Sequence, residues 1–159
     1  MNNRRYRKDD KISGRMFLAY ITFLLSLSFG IAIMPMGSAI KTESLFFTIV
    51  SGILTWLGLI GTIFVAIKIN IYIKAFKTNK NEKPQLGLTH FFQNKEAFFI
   101  DIVMFVAICG FVLSKFLLNN IVASFVLLAL FVFSFGMHCM LNGENYRYFK
   151  IKTGRDREL

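Results

Sequence analysis

Four long apolar stretches separated by short polar gaps set the plan of this chain. They run from about Met16 to Met34, from Leu45 to Ile73, from Ala97 to Leu118 and from Ile121 to Leu141. Each reaches the roughly 18–20 residues that a helix needs to cross about 30 Å of hydrocarbon. The pattern predicts an all-α integral membrane protein, with four transmembrane helices in an up-down bundle.

The gaps carry helix-ending residues. Pro35 stops the first span, because a proline cannot continue a helix without losing a backbone hydrogen bond. Asn119-Asn120 allows only a very tight turn, which predicts that spans three and four form a close antiparallel hairpin. Asn142-Gly143 supplies residues that commonly end a helix in a left-handed conformation. Asn94 reads as the N-cap of the third span, with Glu96 in the first turn, where its charge suits the helix dipole. Ile67–Ile73 alternates strictly between apolar and polar residues, which in a soluble protein argues a strand. At a membrane surface an open strand edge leaves backbone groups unpaired, so a helix continuing towards Phe76 is expected.

Charge orients these spans. Of 19 Lys and Arg residues, all but Lys41 and Lys115 precede the first span, cluster around the gap between the second and third, or follow the fourth. Positive residues in short loops favour the cytoplasmic side, which predicts that both termini lie on the cytoplasmic side of the cell membrane. The chain then divides into a basic N-terminal segment (1–15), a transmembrane domain (16–141, with a cytoplasmic connection at 77–96) and a basic, aromatic tail (142–159). Within that connection, residues 79–84 break structure, while Leu88–Phe92 reads as an aromatic stretch lying against the headgroup boundary. A signal peptide is the rival reading for residues 1–39, although its apolar run exceeds the usual roughly 7–15 residues.

The net charge of +10 raises the question of nucleic acid. The positive residues flank membrane spans on one side, so the expected partners are anionic lipid headgroups, together with another membrane protein or further copies of the chain, and not nucleic acid. Only two cysteines occur. Cys109 falls at mid-span and Cys139 near a span end, and depth alone argues against a bond between them.

Asp101 is the one acidic residue well inside a span. An ionisable group there usually faces protein or water and has a partner. Lys68, Asn70 and His138 are expected at the same depth, which makes Asp101, Lys68, Asn70 and His138 a candidate polar cluster. It reads either as a helix-docking contact, with Lys68 extending to the interface, or as an ion- or proton-handling site. His138-Cys139 offers metal-binding atoms, but adjacent helical residues point about 100° apart, and neither a metal site nor a cofactor is expected.

The second span shows a packing signal. Thr48, Gly52, Thr55, Leu59, Thr62 and Ala66 recur at spacings of four and three, a small-residue seam suited to a left-handed helix crossing. Gly58 and Gly61 lie beside it, and Ala107, Gly110 and Ser114 form a weaker counterpart in the third span. The two seams are expected to pack against each other.

Walker loops, nucleophile elbows, His-Glu-x-x-His and paired catalytic carboxylates do not occur. Small four-helix multidrug exporters are similar in span count, but they need a glutamate within a first span that here carries no charge. The sequence therefore predicts a non-enzymatic membrane protein that acts through contacts, of the accessory or immunity type. The alternative is a minimal oligomeric transporter or channel using the polar cluster.

Overall fold

In the computed structural model, residues 3–35, 45–76, 87–92 and 95–142 are described, with side chains from residue 14 onward in the first segment and to residue 71 in the second. Four α-helices account for nearly all of them: α1 (Asn3–Ile33), α2 (Leu45–Phe76), α3 (Lys95–Phe116) and α4 (Ile121–Leu141). A single 3-10 turn, Gly87–Thr89, precedes α3. Among the described residues there is no strand, and the alternating segment Ile67–Ile73 is helical as far as Phe76. Each α-helix contains a stretch long and apolar enough to cross a membrane: Gly14–Ile33, Leu45–Ile71, Lys95–Phe116 and Ile121–Leu141. The chain has the make-up of a small multi-pass membrane protein. The basic N-terminal segment, separated from the first span by composition, is continuous with it in the structure: α1 starts at Asn3.

Helix α2 packs on α1, α1 on α4, and α4 on α3, so α1 and α4 form the inner pair. Their contact is apolar with one polar pin. Tyr20, Leu24 and Leu27 of α1 and Met140 of α4 make one buried cluster with Val65 and Ile69 of α2, and the Tyr20 hydroxyl donates to the Gly136 carbonyl at 2.9 Å. Leu24 also lies where a Cβ on Gly136 would fall, at 2.6 Å.

The α1–α2 contact is antiparallel and very close. A Cβ on Gly58 would lie 2.3–2.7 Å from Leu27, including its backbone, and one on Gly30 would lie 2.5 Å from the Thr55 hydroxyl. Such closeness lets hydroxyls bond across the interface. Ser51 donates to the Gly30 carbonyl at 2.8 Å and Ser26 to the Leu54 carbonyl at 3.1 Å. Small residues and interhelical hydrogen bonds of this kind hold helices together where lipid offers no hydrophobic drive.

The face of α2 turned to α1 is Ser51, Thr55, Gly58, Thr62, Val65 and Ile69. It has the four-three spacing expected, but starts three residues later, a rotation of about 60° on a helix of 3.6 residues per turn. Thr55 and Thr62 belong to both sets. Thr48 and Leu59 are exposed, and a Cβ on Gly52 would touch nothing within 4 Å. The sequence favoured hydroxyls and small residues, whereas the structure also uses Val65 and Ile69 to fill the contact. Ala107, Gly110 and Ser114 face α4 rather than α2, with Leu127 3.2 Å from a Cβ on Gly110. The two seams thus serve different helix pairs.

Helices α3 and α4 form an antiparallel hairpin. Leu118 N–H bonds back to the Leu113 carbonyl at 3.2 Å and Asn120 N–H to the Ser114 carbonyl at 3.1 Å. Asn119 supplies the left-handed turn, φ 47°, a conformation asparagine tolerates better than most residues. The Asn120 side chain then caps α4 by accepting from Ala123 N–H at 3.0 Å. Ser124 donates to the Asn120 carbonyl at 2.7 Å, and Ser114 and Ser124 stand 3.2 Å apart between the helices.

Candidate functional site

At the other end of the α3–α4 hairpin lies the most polar buried site among the described residues. Asp101 lies six residues into α3, and His138 three residues before the end of α4. On helices rising 1.5 Å per residue, they are about 9 Å and 5 Å from those ends. Antiparallel pairing brings them opposite one another. Both are buried, Asp101 completely.

Three donors converge on the carboxylate. Phe92 N–H donates to Oδ2 at 2.8 Å. Asn142 Nδ2 lies 3.0 Å from Oδ1 and 3.2 Å from Oδ2. His138 Nδ1 lies 2.6 Å from Oδ1. A carboxylate accepts, so this network assigns the imidazole proton to Nδ1. The 2.9 Å approach of Asn142 Nδ2 to His138 Nδ1 is then two donors crowding one acceptor. The remaining imidazole nitrogen, Nε2, is buried and has no hydrogen-bond partner.

Aromatic rings close the site. Phe91 lies over the imidazole, 4.6 Å between ring centroids, and Phe135 stacks nearby at 6.4 Å. Phe91 also meets Phe105 at 5.7 Å, and Phe92 meets Phe98 at 5.4 Å. The aromatic stretch before α3 thus folds onto the hairpin, while its outer side stays exposed. Its anchoring residue, Phe92, has φ 57°. A bulky residue in that region is strained by on the order of 1–3 kcal/mol and is held there by its surroundings.

Of the four cluster residues expected, Asp101 and His138 come together. Lys68 does not join them: it is exposed on α2, with its ammonium 4.6 Å above the Phe64 ring. Asn70, also on α2, is half-buried and makes none of the carboxylate's bonds described here. Equal depth does not bring side chains together, because α2 packs on α1 and so carries both residues away from α3. Two participants were missed. Asn142 stands four residues after His138, on the same helix face, a spacing that pairs their side chains. With Gly143 it is expected only as a helix end; Asn142 itself has a right-handed φ of −87° and its N–H bonds to the His138 carbonyl, while Gly143 lies outside the described residues. The Phe92 contact uses a backbone N–H, which no side-chain pattern announces. The proposed Asn94 cap lies outside the described residues, as does the tail beyond residue 142.

Cys109 and Cys139 are free thiols. Among the described residues, no three metal-ligating side chains come together. No protein-family model, curated protein or solved structure matches this chain.

Proposed function

We propose that this is a non-enzymatic protein of the cell membrane, accessory or immunity-like, that works by contact with other membrane components. The charge bias supports an up-down arrangement with both termini cytoplasmic, where the basic segments meet anionic headgroups. One observation carries the reading: α2 is the least covered helix, with 17% of its apolar 18-residue stretch buried against 28% for the same length of each of the others. It turns Ile53, Trp56, Ile60, Phe64 and Ile67 outward. The protein's own bundle leaves this face to lipid or to a neighbour, and a partner helix fits it by simple apolar contact.

Photocrosslinking in intact cells tests the reading. A photoreactive side chain at Ile60 is expected to give one discrete protein adduct, and one at Phe133, packed against the interior cluster, to give none. Lipid adducts alone at Ile60 would remove the contact reading.

A minimal oligomeric transporter or channel is the second reading, favoured by a single feature, the buried unpartnered Nε2 of His138. Purified protein in sealed vesicles would then carry protons or cations, and Asp101→Asn would abolish that flux.

A further inference from the structure

We infer that His138 Nε2 is a ligand site: it accepts a hydrogen bond from a small ammonium group when the strap formed by residues 87–92 swings away. In the neutral imidazole with its Nδ1 proton on Asp101, Nε2 carries the lone pair. Buried polar atoms in folded proteins are nearly always paired, so an orphan calls for a partner. The other orphan, Thr62 Oγ1, has a local remedy, since a helical threonine can turn its hydroxyl to the carbonyl one turn back. The imidazole has no such freedom. Asp101 fixes one edge and Phe91 lies on its face.

The surroundings select a cation. The Asp101 carboxylate lies across the ring, and aromatic faces attract ammonium groups. Both side chains sit within about two turns of the helix ends, beneath the headgroup boundary. Ammonium groups meet that boundary on aminophospholipids and on dissolved amines.

The strap is built to move. Phe91 covers the imidazole with one ring while its outer side is exposed. Its closure onto Asp101 uses one backbone hydrogen bond, made by a residue in a strained conformation. Loss of that bond and relief of that strain act together, so lifting the strap costs less than its tight geometry suggests.

The full chain, reconstituted in phosphatidylcholine vesicles, allows two measurements. The first is reaction with diethyl pyrocarbonate, followed at each histidine by mass spectrometry. The chain has only two histidines, so each is assigned separately, and added N-acetylhistidine is the rate reference. His138 is expected to react slowly. Phe92→Pro deletes the N–H and forbids the positive φ, and should speed His138 by about tenfold or more, the factor expected for one hydrogen bond to a charged group. Phe91→Ala should do the same, whereas Phe92→Asn keeps the N–H, tolerates the turn and should stay slow. Equal His138 rates in all four proteins would overturn the strap.

The second measurement is the 15N resonance of Nε2 in the Phe92→Pro protein. Free ethanolamine shifting this resonance would identify a dissolved amine as the ligand. A shift only on replacing phosphatidylcholine with phosphatidylethanolamine would identify the lipid headgroup. No shift with either would overturn the ligand site, whatever the strap does.

Discussion

At Asp101 the balance of donors and acceptors sets what a substitution costs. The carboxylate offers two oxygens to three donors. Asp101→Asn leaves one oxygen and turns an NH2 towards a donor, so a loss of about 1–3 kcal/mol is expected. Asp101→Leu strands all three donors in a buried site and should cost more, about 3–5 kcal/mol. Asn142→Leu removes one donor and leaves His138 and Phe92 to satisfy the carboxylate, so it should fall below either. Thermal unfolding in detergent would show this order, and an Asp101→Leu protein as stable as the native one would contradict the network. The side chains at this site were half legible in the sequence. A buried acid demands partners, and His138 shared its depth. Lys68 is expected there too, but charge and depth do not say which helix lies alongside. The Phe92 N–H was hidden because it belongs to no side chain.

Among the helices, spacing is a better guide than angle. The four-three rhythm of α2 was readable, but residue size alone put its face about 60° from the true one, because Val65 and Ile69 pack as well as threonine does. Glycines separate the two faces experimentally. Gly58→Ala places a methyl against Leu27 backbone and should destabilise by about 1–3 kcal/mol. Gly52→Ala points into open space and should be neutral within about 0.5 kcal/mol. A denaturation series that ranks Gly52→Ala as the worse variant would restore the face read from the sequence. Ser51→Ala removes the bond to Gly30, a contact typically worth about 0.6 kcal/mol between membrane helices. The helices themselves were legible almost to their ends, because apolar length leaves little else to form. The extension of α1 back to Asn3 was not, since that basic stretch has no apolar periodicity to betray it.

Across the whole molecule, orientation rests on charge and is open to direct labelling. Cysteines substituted at Ser38 or Asn120 should react with a membrane-impermeant reagent added outside, and those at Asn81 or Thr153 should not. Reaction at Asn81 from outside would invert the arrangement. The order α2–α1–α4–α3 lay beyond the sequence, since four similar spans can pair in several ways and short loops fix only neighbours. That order has a consequence in time. The Tyr20–Gly136 bond joins residues 116 apart. On a ribosome adding about 5–20 residues per second, Gly136 is made roughly 6–23 s after Tyr20. Until then the first hairpin waits in the bilayer with the inner face of α1 against lipid or a membrane chaperone. A nascent chain halted before α4 is therefore marked as unfinished by its own first helix, and quality-control proteases of the membrane would meet that uncovered face first.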